Sequence, residues 1–163
     1  MHAKDAIRSA GNLTTAVLKS YVSDLDDADL MRRPGTGCNH LAWQLGHLIS
    51  SEAQLLNMMC PGAAAELPDG FAEAHGKDQA SSDNAGQFHD KQTYLKLYDQ
   101  VRASTEAALE ALDDADLDKP APEDFRQFCP TLGDMFVLTV SHGLMHAGQF
   151  VVVRRQAGKP ILM

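Results

Sequence analysis

The chain has 163 residues, 44% of them hydrophobic and 22% charged, a globular composition that predicts one self-folding domain over residues 1–163 and excludes a disordered chain. A formal net charge of −8 sets the averaged field against nucleic acid and anionic lipid, which are bound mainly through Lys and Arg, so neither nucleic acid nor membrane is expected as a partner. Cys38, Cys60 and Cys129 are odd in number, scattered and free of any CxxC pair, which argues against a disulfide framework or a Cys-rich zinc site and suits a reducing compartment.

The opening Met1-His2-Ala3-Lys4-Asp5 acquires charge at once and leads into no continuous apolar run, so a cytoplasmic location is expected. Ile7, Leu13, Ala16, Val17 and Leu18 recur at helical spacing and predict a first helix over 3–23, frayed near Gly11. The acidic stretch 23–34 reads as a turn in which Leu25, Leu30 and Met31 pack over the bundle. Asn39 reads as the N-cap of a second helix over 39–59, with Leu41, Leu45, Leu48, Ile49, Leu55 and Leu56 inward and Pro61-Gly62 ending it. From Cys60 to about Lys91, Gly, Ala, Ser, Asp and Asn dominate without periodicity, which predicts a long connection crossing the bundle. Tyr94, Leu97, Tyr98, Val101, Thr105, Ala108, Leu109 and Leu112 mark a third helix over 90–112.

The fourth helix, over 131–157, opens on Thr131-Leu132-Gly133-Asp134, a capping box with Asp in place of Glu, and ends near Gly158-Lys159-Pro160. Asp134 is its sole Asp, Glu, Lys or Arg as far as Val153, so it is apolar on more than one face. The His, Ser, Thr and Gln within it argue for burial in protein on two sides and against a membrane span. One face is expected to meet the bundle. The other, through some of Val137, Leu138, Ser141, Met145, Gly148 and Val152, is expected to meet a second copy. Arg154-Arg155 at its end is explained by the helix dipole. The expected fold is all-α, a four-helix bundle with one long crossover between helices 2 and 3.

The chemistry is concentrated in Ser141-His142-Gly143-Leu144-Met145-His146, because residues four apart on a helix point the same way and two imidazoles converge on one ion. Both continue the stripe Leu132, Met135, Phe136 and Thr139, so the rings are expected to point into the bundle, where a metal or a hydrogen-bond partner must satisfy their nitrogens. Neutral core histidines bonded to a neighbouring helix are the alternative. A third ligand is expected from Trp43-Gln44-Leu45-Gly46-His47-Leu48, with His47 deeper on the same face and His40 at the pocket rim or surface. Trp43, four residues before His47, reads as a pocket wall or plain core. Gln149, one turn beyond His146, reads as packing or as a group orienting a ligand. His2, His75 and His89 are expected to be solvated, and Cys38 and Cys129 structural.

These residues resemble the DinB-like superfamily. The resemblance rests on Asn39-His40-Leu41-Ala42-Trp43-Gln44-Leu45-Gly46-His47-Leu48, on His142-x-x-x-His146 with Gly148-Gln149, and on Arg154-Arg155-Gln156-Ala157-Gly158-Lys159-Pro160, and it extends over nearly the whole chain. It implies a four-helix bundle, a homodimer, and a divalent metal on His47, His142 and His146. It also implies an activity of either of two kinds, metal-dependent hydrolysis or a transferase or isomerase reaction using a low-molecular-weight thiol as cosubstrate.

Three neutral histidines leave coordination positions open, as in a catalytic site. The leading expectation is therefore an enzyme whose metal activates water or a low-molecular-weight thiol against a small substrate. A metal-dependent protein that binds or senses a small ligand without turnover is the alternative, and a dimer in which the histidines only stabilise the fold is a third. Neutral imidazole suits zinc, nickel, iron and copper alike, with availability often deciding; zinc or nickel is the expected ion, and no residue is assigned as general base.

Overall fold

The periodic segments form four long helices in the computed structural model, which describes residues 1–162. In chain order the α-helices are α1 (Ala3–Val22), α2 (Asp27–Leu30), α3 (Leu41–Met59), α4 (Phe71–Ala74), α5 (Lys91–Ala111) and α6 (Leu132–Gln156), with short 3-10 turns in the connections. No strand occurs among the described residues, so the fold is an all-α helical bundle. Observed ends lie within one or two residues of those expected.

Local chemistry accounts for the helix starts. Thr131 and Asp134 form the reciprocal box at the head of α6, the Asp134 N–H donating to Thr131 Oγ1 at 3.2 Å and the Thr131 N–H to Asp134 Oδ2 at 3.0 Å. Asp90 caps α5 by accepting from the Thr93 N–H at 2.7 Å. At α3 the expectation fails by one residue. The cap is His40, whose Nδ1 accepts from the Trp43 N–H at 3.0 Å, while Asn39 contributes its carbonyl to Gln44.

Contacts along the chain set the helix directions. Gly11 backs onto Val140 and Thr14 onto Gly143, so α1 and α6 run parallel. Gln44 reaches His146 and Gln149 while His47 meets His142, so α3 runs antiparallel to α6. The α3–α5 seam carries Glu52 against Arg102 and Thr105, and further up Gly46 lies beside His75, which bonds Tyr94. Helices α3 and α5 are therefore parallel neighbours, which a short turn cannot join, and residues 60–90 supply the long crossover.

The core forms two contiguous groups. One includes Leu18, Leu45, Ile49, Tyr94, Tyr98 and Phe150, the other Ile7, Leu56, Leu109, Met135, Phe136 and Val140. Leu25 and Leu30 are buried around α2, as expected, and Met31 is half-buried.

Three expectations are corrected. Helix α1 does not fray at Gly11, which is buried because the Arg102 guanidinium passes where a Cβ would stand, 2.3 Å from Nη2. Arg154 is no dipole-compensating surface residue. It is fully buried, donating to the Tyr21 carbonyl at 2.7 Å, to the Asp24 carboxylate and to the Pro160 carbonyl, and so ties the chain's end to the end of α1. The Arg154 guanidinium holds the Asp24 carboxyl below its ordinary value. His75 is also buried, at 1% exposure, although the segment around it has no helical period.

Helix α6 is long and apolar enough to cross a membrane by length and composition. In the bundle it packs along α1 and α3, with Phe136, Val140, Ala147, Phe150 and Val153 inward. Val137, Leu144, Met145 and Val152 face outward, as an apolar second face requires.

Candidate metal centre

Helix α6 runs uninterrupted from its capping box, so His142 and His146 stand one turn apart on the edge facing α3. From α3, His47 projects into the same seam. The ring centroids form a near-equilateral triangle: His47 to His142 5.3 Å, His47 to His146 5.4 Å, His142 to His146 4.9 Å. All three side chains are half-buried, so they lie at the mouth of the seam and do not point into the closed core, as the stripe had suggested. The buried stripe of α6 is centred on Thr139, Gly143 and Phe150, and the histidines flank it.

One ring nitrogen from each residue lies within 4.8 Å of the other two, a set that could hold a metal ion. The Nε2 atoms of His142 and His146 are 3.3 Å apart. Zinc–imidazole bonds of 2.0–2.1 Å in a tetrahedron place ligand nitrogens about 3.3–3.4 Å apart, so this pair has the required spacing. The residues present fit a divalent ion.

Protonation is also arranged for ligation. Burial pushes His146 down to about 3, with His142 and His47 adding to the shift. Burial likewise lowers His142 and, with His142 as a further cause, His47. All three are neutral at pH 7, the form in which imidazole binds metals.

Gln44, which the sequence reading did not single out, fixes the tautomer of His146. Its amide nitrogen donates to the Asn39 carbonyl at 2.7 Å and to Gln149 Oε1 at 3.1 Å. Because a carbonyl only accepts, the Gln44 amide has one orientation, and its Oε1 faces His146 Nδ1 at 2.9 Å. His146 therefore carries its proton on Nδ1 and presents a lone pair at Nε2, where a ligand atom is needed. Gln149 stands behind Gln44, one bond further from the site. The available signal was a Gln among apolar residues on the inward face of a helix; Gln44 is 1% exposed.

Trp43 lies against His47, rings nearly parallel at 6° and 4.9 Å between centroids, so it walls the site from behind. Its indole N–H donates to the Gly76 carbonyl at 3.1 Å. On the other edge of His47, Nδ1 lies 3.4 Å from Ser51 Oγ, a weak contact. His40 is not at the pocket rim. It is buried, its Nδ1 occupied by the cap and its Nε2–H donating to the Ser82 carbonyl at 3.2 Å. Neither nitrogen is free for a ligand. His89 and His2 are exposed as expected.

Beside His142 a cleft of about 300 Å³ opens between α3 and α6, with Leu55, Met58, Leu138 and Met145 along it and Ser51 and Gln54 supplying polar atoms. That volume is at the small end of ligand pockets. Cys60 and Cys129 have thiols pushed up by burial, so neither is poised as a nucleophile.

The family model described as the DinB superfamily matches residues 12–150. A crystal structure of a conserved protein from Enterococcus faecalis is similar over 98% of this chain and 99% of that one, with a TM-score of 0.70 and 15% sequence identity, a likeness of fold. No curated protein matches the sequence.

Proposed function

The chain belongs to the DinB superfamily, and on that premise we propose that it is a divalent-metal-dependent enzyme using His47, His142 and His146 as ligands, with zinc or nickel as the ion. The observation that carries this reading is the convergence of three neutral imidazoles, one of which, His142, lines an open cleft. A structural metal site is closed by its protein ligands, whereas three ligands, one of which lines an open cleft, leave room for a small molecule. A divalent ion held there supplies the Lewis acidity that makes a nucleophile from water or a low-molecular-weight thiol near neutral pH.

The protein's own groups do the rest. Gln44 holds the proton of His146 on Nδ1, and Trp43 fixes the plane of His47. Leu55, Met58, Leu138 and Met145 keep water from one side of a small substrate, while Ser51 and Gln54 offer it hydrogen bonds. The proposal includes a homodimer formed through the outward face of α6, where Met145 is 63% exposed.

Metal content and thermal unfolding of the wild type and of His47→Ala, His142→Ala and His146→Ala test the ligand set. Each variant is expected to lose metal affinity by orders of magnitude, and chelation to lower the wild-type Tm. Full occupancy in His47→Ala would remove it as the third ligand. Wild-type protein is then assayed with ester substrates, and with electrophiles plus a small thiol. Stoichiometric metal without turnover in either assay would replace the enzyme with a ligand-binding or sensing protein.

A further inference from the structure

The crossover from α3 to α5 passes directly behind the histidine triangle. Its anchor is His75, at the end of α4. The Phe71 carbonyl can only accept, so His75 Nδ1–H donates to it at 2.7 Å, and Nε2 accepts from the Tyr94 hydroxyl at 2.8 Å. The Tyr94 oxygen in turn accepts from the His89 backbone N–H at 3.2 Å. The middle of the crossover, at His75, and its end, at His89, are thereby both tied to the Tyr94 hydroxyl on α5. The ring lies flat on α3 at Gly46, where a Cβ would stand 2.0 Å from His75 Cδ2, so the glycine beside His47 is the seat that admits it. The next residue, Gly76, supplies the carbonyl that holds the Trp43 indole, and Trp43 stacks on His47.

We propose that His75 is a positioning residue for the metal centre, acting through Gly76 and Trp43 to set the plane of the His47 imidazole. This rests on the reading of His47 as a ligand. The energetic logic is that of groups behind a metal ligand generally, which fix its orientation before the ion arrives and whose loss typically costs ten- to a hundredfold in affinity. His47 needs such support because its contact with Ser51 is long, whereas His146 has Gln44. The indole face supplies it, and the indole is itself aimed by one hydrogen bond to Gly76, in the crossover just after α4.

Three variants test the relay. His75→Gln keeps a donor for Phe71 and an acceptor for Tyr94, His75→Leu keeps bulk but neither, and Trp43→Phe keeps a stacking face but not the bond to Gly76. Zinc and nickel affinities are measured by titration, alongside Trp43 emission and the His47 imidazole ¹⁵N–¹H signals of chelator-treated protein. As the chain has a single tryptophan, emission reports on this site alone.

His75→Leu is expected to shift the emission and the His47 signals and to weaken metal binding about tenfold. His75→Gln should restore affinity to within about twofold of wild type on the same scale. The double variant Trp43→Phe/His75→Leu should bind no more weakly than Trp43→Phe, because the relay is already cut. A purely structural His75 would give additive losses and an undisturbed His47 spectrum in folded protein, which overturns the proposal. If His75→Leu does not fold, the cycle is run with Gly46→Ala, which displaces the same ring from α3. If the wild type binds neither ion, the three-histidine reading fails, and the relay is decided by the His47 signals alone.

Discussion

Gln44 Oε1 lies 2.9 Å from His146 Nδ1, and the carbonyl of Asn39 behind it leaves the amide only one orientation. The proton of His146 is thus placed by a backbone carbonyl two bonds away. Replacing Gln44 with Leu removes the acceptor and strands a buried N–H. Metal affinity is expected to fall ten- to a hundredfold by calorimetric titration, with the helical content by circular dichroism unchanged. Gln149→Ala, one bond further out, should cost less than Gln44→Leu.

Acid should destabilise the metal-free protein in a defined window. Histidine in the unfolded chain titrates near 6.5, while burial holds His75 down at about 4 and His146 at about 3. The unfolded state therefore takes protons first as pH falls. Stability is level above about pH 7, declines from about 6.5 and keeps declining to about 4 and below. His75→Gln removes one of these groups and should flatten the profile, sparing on the order of 3 kcal/mol by pH 4. Urea midpoints across a citrate–phosphate series with chelator present are the check; parallel wild-type and variant profiles would contradict it.

Arg154 and Arg155 are adjacent in sequence and opposite in role. Arg154→Leu leaves the Tyr21 and Pro160 carbonyls without their donor and frees the Asp24 carboxylate, so a loss of about 3 kcal/mol is expected in denaturant unfolding. Arg155 is exposed, and Arg155→Ala should stay within about 0.5 kcal/mol of wild type. Metal affinity should be untouched in both.

The proposed homodimer makes its own prediction. Met145→Asp or Val152→Asp puts a charge on the outward face of α6 and should give monomer or aggregate by sedimentation velocity. Asp at exposed Leu13 on α1 is the comparison, and a dimer that survives all but that change would move the interface to α1.

Histidine substitutions separate site from scaffold. His89→Ala is expected to leave both metal content and Tm near wild type, since the ring is exposed. His40→Ala removes the cap of α3 and should cost about 1 kcal/mol by thermal unfolding without abolishing metal binding.

The sequence by itself determined the four long helices, their ends and the convergence of His142 with His146, because all of these follow from the helical period and from caps read within a few residues. It also pointed to His47, since a His amid an apolar face must find a partner. Only the tertiary structure decided what lies behind those rings. His75 had no period to mark it as buried, and its burial follows from the crossover being laid along α3 at Gly46 and tied to Tyr94 on α5. Gln44 was not singled out in the sequence: the carbonyl that orients its amide is local, at Asn39, but the imidazole it serves comes from a helix about a hundred residues away. Arg154 looked like a surface cation until the ends of α1 and α6 were seen side by side. In each case a local pattern sets which face turns inward, and the packing of distant segments sets what that face meets.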